Sequence, residues 1–123
     1  MDMTHSFVSV RVQFEGLHRW PDAPEQVAFL KNPHRHIFII TAIKQVFHND
    51  RDVEFFMLRS KIKIFITAEY GEGNPSKMLF DLGAKSCEMM AFEILKEFDL
   101  YECSVSEDGE NTGIVRRPHV KSF

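Results

Sequence analysis

The sequence is short of cysteine, of long apolar runs and of basic charge, and each shortage excludes a class of protein. Two cysteines in 123 residues form neither a disulfide framework nor a C-x-x-C motif, which fits a reducing compartment. The opening MDMTHSFVSV lacks the basic start and apolar stretch of a signal peptide, and no run reaches membrane-spanning length. We therefore expect a cytoplasmic protein with no membrane partner.

The charge balance argues against a nucleic-acid partner. The formal net charge is −3, whereas a nucleic-acid-binding surface needs a basic face. A chain of 123 residues predicts one domain over residues 1–123, with a C-terminal tail from about residue 117. The basic residues there fit either a solvated tail or an anion contact, and they are Arg116, Arg117, His119 and Lys121.

Hydrophobic alternation predicts four strands. Residues 6–14, SFVSVRVQF, place apolar side chains on one face and polar ones on the other. Rich β-branched content predicts a longer strand in HRHIFIITAIK, residues 34–44. LYECSVSE at 100–107 alternates again, and TGIVR at 112–116 follows the turn residues DGEN as a return strand. The proline-punctuated segment 19–33 is either a lid over a site or a long connection.

Two helices are predicted between the strand pairs. Residues 86–98, SCEMMAFEILKEF, carry an apolar stripe, with Ser86 as N-cap and Glu88 in the first turn. Residues 53–68 are ambiguous, because their composition suits a strand while their apolar spacing favours a helix. Residues 69–77 are predicted as a loop. The order ββααββ predicts an α+β fold, a four-stranded antiparallel sheet with two helices packed on one face.

Three histidines fall where the first two strands meet. An antiparallel pair joined through 19–33 places the end of the first strand beside the start of the second, so His18 lies next to His34 and His36. His34 and His36 project to the same side, because strand residues alternate. Three imidazoles with a fourth position open to water or substrate are typical of catalytic zinc. The alternative is that these histidines are structural or surface residues that bind nothing.

Glu107 falls on the face of the third predicted strand that otherwise carries apolar side chains. A partly buried carboxylate needs hydrogen-bond donors, and an N–H/NH2 edge such as that of guanine or a pterin offers two with matching spacing. The alternative is a strand-end glutamate that has already turned into solvent.

Five segments resemble one known family, in the order in which that family has them. The chain resembles the 6-pyruvoyl-tetrahydropterin and 6-carboxy-tetrahydropterin synthases, which have the tunnelling fold. FEGLHRW is similar to the family's F-x-A-A-H, and HRHIF to its H-G-H-x-Y. DVEFFMLRSKI is similar to V-x-D-F-x-x-L-K, SCEMMAFEIL to T-S-E-x-x-A-x-x-I, and VSEDGENTG to V-x-E-T. These matches span about residues 6–115.

The resemblance implies a role for each of these segments. His18, His34 and His36 would bind zinc, and Glu107 would anchor the 2-amino-pyrimidinone edge of a pterin. Residues around Ser86 to Glu88 would help to frame the pocket. The family assembles as a dimer of trimers with sites between subunits, so a homo-oligomer, either trimer or hexamer, is implied.

The chain departs from the family at its catalytic residues. Leu30 stands where catalytic members carry a cysteine, and no L-D-H-x-x-L-N segment is found, since Asp81 has no histidine beside it. The catalytic residues are therefore not identified by the sequence. The alternative acid–base groups are a zinc-bound hydroxide and four side chains. These side chains are Glu25, His48, Asp50 and Asp52.

Three functional hypotheses follow from these residues. The first is zinc-dependent processing of a pterin such as dihydroneopterin triphosphate, in 7-deazaguanine or folate-related metabolism. The second is a pterin- or purine-binding module that kept the pocket and lost the chemistry. The third is a structural or interaction protein on the same fold.

Overall fold

A computed structural model describes residues 4–72 and 78–122 of the chain. Two long strands come first in the structure, followed by two helices and then a final pair of strands, as the ββααββ order predicts. A short strand lies between the two helices. The elements are β1 (Ser6–His18), a 3-10 segment (Glu25–Lys31), β2 (His34–Val46), α1 (Phe55–Tyr70), β3 (Leu79–Asp81), α2 (Cys87–Phe98), β4 (Glu102–Glu107) and β5 (Asn111–Arg116).

The α+β prediction is confirmed, but the sheet has five strands where four were expected. Their order is β3-β1-β2-β4-β5, and every neighbouring pair is antiparallel except β1 and β3. The additional strand, β3, pairs with Glu15 to Leu17 of β1 in parallel. Three residues are too few to show a hydrophobic period, which explains why the sequence did not predict it.

The first helix settles the ambiguity over 53–68. Leu58, Ile62 and Ile66 are buried at intervals of four residues, and Glu54 caps the N-terminus by accepting from the N–H groups of Phe56 and Met57. The predicted helix is thus found, although residues 73–77 of the loop predicted after it lie outside the described residues.

The second helix begins as predicted, because the Ser86 hydroxyl accepts from the Met89 N–H. Its apolar stripe faces the sheet, and Met90 is buried with it. The core lies between the helices and the even-numbered side chains of β1 and β2, such as Val12, Phe38 and Ile40. Among the described residues, no helix has the length and apolar composition needed to cross a membrane.

The C-terminal segment is held against the sheet by polar contacts. Arg117 donates through its backbone to Tyr101 and its guanidinium forms an ion pair with Asp99, 3.1 Å away. The Gln45 side chain both donates to and accepts from the backbone of Lys121. Three of the basic residues there are ion-paired within the chain, Arg116 with Glu102 and both Arg117 and Lys121 with Asp99.

Candidate metal centre

Strand register brings the three histidines to one end of the sheet. β1 and β2 pair without interruption from Ser6 opposite Val46 to His18 opposite His34. His36 lies two residues further along β2, opposite Gly16, and so projects to the same face as His34. Close packing favours glycine at position 16, since a Cβ there would lie 3.1 Å from Phe38 Cε2 and from Leu82 Cδ1.

The three imidazoles are close enough to share an ion. Each offers one nitrogen, and these atoms all lie within 4.8 Å of one another. The ring centroids are 4.5 Å apart for His18 and His34, 5.1 Å for His34 and His36, and 5.4 Å for His18 and His36. The predicted set is therefore brought together, with His18 buried and the other two half-buried.

The Nδ1 atom of every ring faces a hydrogen-bond acceptor. His18 Nδ1 lies 2.9 Å from the Lys85 carbonyl, and His34 Nδ1 lies 2.9 Å from the Asn32 carbonyl. His36 Nδ1 lies 2.7 Å from Asp108 Oδ2. A nitrogen that faces such an oxygen carries the proton, so the lone pair of each neutral ring is on Nε2. This second layer of acceptors is the arrangement that orients histidine ligands around metals.

His18 Nε2 provides the test of whether these residues fit a metal. The His18 residue is 8% exposed, and its Nε2 atom is buried and makes no hydrogen bond. Glu107 Oε1 is 3.2 Å away without forming a hydrogen bond to it, so proximity alone does not satisfy this nitrogen. Burial lowers the pKa of His18, partly opposed by the Lys85 carbonyl and the charge of Glu107. A buried, unprotonated nitrogen with an unused lone pair fits a metal ligand.

Glu107 lies beside the histidines rather than in solvent. Its Oε1 is 3.2 Å from His18 Nε2 and its Oε2 is 3.4 Å from His36 Nε2, while its side chain is 25% exposed. The Cys87 thiol lies 3.7 Å from Oε1 and donates to it. Burial, followed by the charges of Glu107 and Glu88, raises the pKa of Cys87 to about 12, so this thiol stays protonated at neutral pH.

A cleft of about 380 Å3 opens beside the metal centre. One wall is the start of α2, where the Ser86 hydroxyl is used in capping and Glu88 is exposed. The opposite wall comes from the segment after β1, held by the hydrogen bond from Trp20 N–H to the Leu30 carbonyl. The cleft is lined by both walls and the histidine end of the sheet: His18, Arg19, Trp20, Leu30, His34, Ala84, Lys85, Ser86, Cys87, Glu88, Met89, Glu107, Asn111, Thr112 and Gly113.

Sequence reasoning missed two side chains that touch the site. Asp108 holds His36, and Cys87 contacts Glu107; the segment around Ser86 to Glu88 was expected at the pocket, but the contact of the Cys87 thiol with Glu107 was not. The signal for Asp108 is its place, one residue beyond the carboxylate that ends β4 and in a left-handed conformation (φ 57°) that turns its side chain back. The alternation of side chains along β4 does not predict that the Asp108 side chain turns back towards His36.

The alternative acid–base groups do not join the centre within one chain. His48, Asp50 and Asp52 follow the far end of β2, which is a 13-residue strand, so roughly 40 Å separates them from His34. Asp52 accepts from the Phe47 N–H there. Glu25 opens the 3-10 segment and is exposed.

Leu30 and Asp81, the two positions that depart from the synthase pattern, make other contacts in this structure. Leu30 contributes an apolar side chain to the cleft and its carbonyl to the Trp20 hydrogen bond. Asp81 accepts from the N–H of Gly83, which closes a turn.

Comparison with solved structures gives the class of protein that this architecture defines. An uncharacterised protein of Wolinella succinogenes has a TM-score of 0.69 at 10% identity, covering 92% of this chain and 98% of that one. The 6-pyruvoyl tetrahydropterin synthase of Caenorhabditis elegans has a TM-score of 0.60 at 12% identity, with 95% and 99% covered. The enzyme of the same name from Plasmodium falciparum has a TM-score of 0.59 at 18% identity, with 92% and 98% covered.

The fold of this chain is therefore that of the 6-pyruvoyl tetrahydropterin synthases, over nearly its whole length. The resemblance drawn from five short segments is confirmed at the level of the fold. No family model and no curated protein matches the chain by sequence.

Proposed function

We propose that the chain binds zinc through His18, His34 and His36 and processes a pterin such as dihydroneopterin triphosphate in the adjoining cleft. The observation that carries the proposal is the orientation of the three rings. Each Nδ1 is held by an acceptor, which leaves three Nε2 lone pairs at one end of the sheet. Imidazole nitrogen is a preferred donor for zinc, and a three-histidine set is typical of catalytic sites.

Zinc in this place would act as a Lewis acid towards an oxygen of the bound molecule. The protein's own groups orient that molecule. The cleft of about 380 Å3 falls in the size range of small-molecule sites. Glu107 is the carboxylate inside it that can accept from an N–H/NH2 edge, with Ser86 and Glu88 at the rim.

A second candidate function is a pterin- or purine-binding module without turnover. It is favoured by the state of the one thiol among the described cleft residues, because Cys87 has a pKa of about 12 and carries no thiolate at neutral pH. Leu30 supplies no acid or base at the position where catalytic synthases have cysteine.

The same proposal extends to assembly and location. The chain would form a homo-oligomer, a trimer or hexamer, in the cytoplasm, with a small molecule and neither nucleic acid nor membrane as its partner. Backbone groups along β5 support assembly, since this strand is at the edge of the sheet.

Zinc content tests the proposed metal site. We expect about one zinc per chain in the untagged protein and little in His36→Ala, because removal of one of three ligands weakens the site severely. His48→Ala is the matched control, since this exposed histidine lies at the far end of β2 and should leave the zinc content unchanged. Absence of zinc from the unmodified protein after zinc is offered would contradict the proposal.

Turnover separates the two candidate functions. The zinc-loaded protein is incubated with dihydroneopterin triphosphate beside a chelator-treated sample, and binding and product are both measured. Product from the loaded sample alone supports the enzyme. Binding without product supports the module. Neither binding nor product with this pterin rejects the enzyme, and failure to bind guanine as well rejects the module.

A further inference from the structure

We propose that Glu107 is a fourth protein ligand of the metal centre, so that the site is closed until a small molecule displaces the carboxylate. This inference rests on the proposed zinc site. It differs from the role that the resemblance implies for Glu107, which is contact with a pterin alone.

The distances around Glu107 are those between two ligands of one ion. Zinc–nitrogen bonds are about 2.0–2.1 Å and zinc–oxygen bonds about 2.0–2.2 Å, so tetrahedral ligand atoms lie about 3.3–3.5 Å apart. Glu107 Oε1 is 3.2 Å from His18 Nε2, and Glu107 Oε2 is 3.4 Å from His36 Nε2. The carboxylate thus lies at ligand spacing from two of the three histidines.

The chemistry of these contacts also calls for a cation. Both Nδ1 atoms carry the ring proton, because they face the Lys85 carbonyl and the Asp108 carboxylate. In this tautomer each Nε2 is an acceptor that lies beside a carboxylate oxygen, which is also an acceptor. His18 Nε2 is buried and makes no hydrogen bond. A metal ion bound by all three side chains would satisfy both kinds of acceptor.

The backbone holds Glu107 in this position. It pairs with Phe38, two residues beyond His36, so its side chain projects to the face that carries the histidines. A tight turn follows, in which the Glu107 carbonyl accepts from the Glu110 N–H. The Cys87 thiol donates to Oε1 from the start of α2. A ligand fixed on a strand and supported by a second contact is well organised for metal binding.

A ligand role for Glu107 has a consequence for small-molecule binding. Both carboxylate oxygens face histidine nitrogens, so the side chain must turn before it accepts from an N–H/NH2 edge. A molecule anchored by Glu107 then vacates a position on the metal. Binding of the small molecule and retention of the metal are negatively coupled through this one carboxylate.

The test compares Glu107→Gln with Glu110→Gln, which removes the same charge from an exposed residue of the adjoining turn. Zinc affinity is measured by competition with a chromophoric chelator. We expect Glu107→Gln to weaken zinc binding at least about 10-fold, because loss of even an outer-layer partner costs about 10–100-fold. Glu110→Gln should stay within about twofold, since exposed charges are screened.

A second measurement uses the visible spectrum of the cobalt-loaded protein. In the unsubstituted protein an added anion must displace Glu107 from the metal, whereas in Glu107→Gln the fourth position is more easily taken. Thiocyanate should therefore change the spectrum of Glu107→Gln at a clearly lower concentration than it does in the unsubstituted protein. An equal response of the two proteins to thiocyanate overturns the inference.

The remaining outcomes are equally decisive. Unchanged zinc affinity in Glu107→Gln overturns the inference and indicates that a shared proton holds the pair. Equal weakening in Glu110→Gln overturns it too, because the effect is then one of distant charge. Each of these results leaves the three-histidine site standing, whereas no zinc in the unsubstituted protein rejects the proposed function itself.

Discussion

The two ring nitrogens of His36 face different carboxylates, Nε2 that of Glu107 and Nδ1 that of Asp108. The Asp108 carboxylate fixes the ring from outside, with Oδ2 on Nδ1 at 2.7 Å and Oδ1 accepting from the Ile37 N–H at 2.8 Å. The two contacts hold the carboxylate at two points, so the tautomer and angle of His36 are set before any metal arrives. Hydrogen bonding to the His36 ring and the Ile37 N–H lowers the pKa of Asp108, which keeps this acceptor ionised.

Asp108→Asn should weaken zinc binding about 10–100-fold. Its amide oxygen can still accept from the Ile37 N–H, which leaves the NH2 group facing His36 Nδ1. A donor at that place favours the tautomer with the proton on Nε2, and a protonated Nε2 cannot bind metal. Chelator competition measures the effect, and asparagine tolerates the left-handed backbone of position 108.

Asp22→Asn is the control, since this exposed carboxylate lies in the turn after β1. Thermal unfolding of both metal-free variants should match that of the unsubstituted protein. Equal zinc affinity for Asp108→Asn and the unsubstituted protein would show that Asp108 does not position His36.

The positions of individual residues were predicted correctly from the sequence where they depend on the alternation of side chains along a strand. His18, His34 and His36 converge because strand alternation and antiparallel pairing are regular, and both can be read from the pattern. Asp108 and the contact of Cys87 with Glu107 depend on a turn and on the docking of a helix. Neither is periodic, so neither could be predicted.

The start of α2 is the element that brings the cleft wall to the histidines. It approaches β5 so closely that a Cβ on Gly113 would lie 2.8 Å from Glu88 Oε1 and 2.9 Å from the Glu88 backbone nitrogen. The carboxylate end can swing away, but the backbone nitrogen belongs to the capped first turn. The helix and strand therefore depend on glycine at this contact.

Gly113→Ala should lower the free energy of unfolding by about 0.5–2 kcal/mol. Overpacking costs about 1–3 kcal/mol, and loss of a strand glycine returns about 0.5–1 kcal/mol. Urea denaturation measures the change. Ile114→Val, at the neighbouring position, which is 53% exposed, should differ by less than about 0.5 kcal/mol. A Gly113→Ala variant as stable as the unsubstituted protein would mean that α2 moves away from β5 without cost.

Elements long enough to show a hydrophobic period were predicted well, and the shortest strand was not. α2 was recognisable from its stripe and cap, and α1 from spacing that outweighed its strand-like composition. Phe55 opens α1 and is 56% exposed, whereas Leu58, Ile62 and Ile66 further along the helix are buried. β3 arises from tertiary pairing with β1 and has no local signal.

At the scale of the whole molecule, the sheet has two unequal edges. β5 is one edge over Asn111–Arg116. On the other side, β3 covers only Glu15 to Leu17 of β1, while Arg59 donates to the carbonyl of Arg11. Partly covered edges are a common way in which proteins limit strand pairing, and a long remaining edge favours pairing with another copy. The homo-oligomer implied by the family resemblance would cover these edges, and β3 leaves most of β1 available for such pairing.

Assembly through β5 should therefore be detectable by mass and by hydrogen exchange together. We expect a trimer or hexamer by sedimentation equilibrium, because paired edges satisfy backbone groups that a lone chain leaves to water. The amides of β5 that point away from β4 should exchange slowly at high protein concentration and faster on dilution. Amides of β4 should not respond, since that strand is paired on both sides by β2 and β5. A monomer, or an oligomer whose outward β5 amides exchange at the same rate at every concentration, would show that these edges do not carry the assembly.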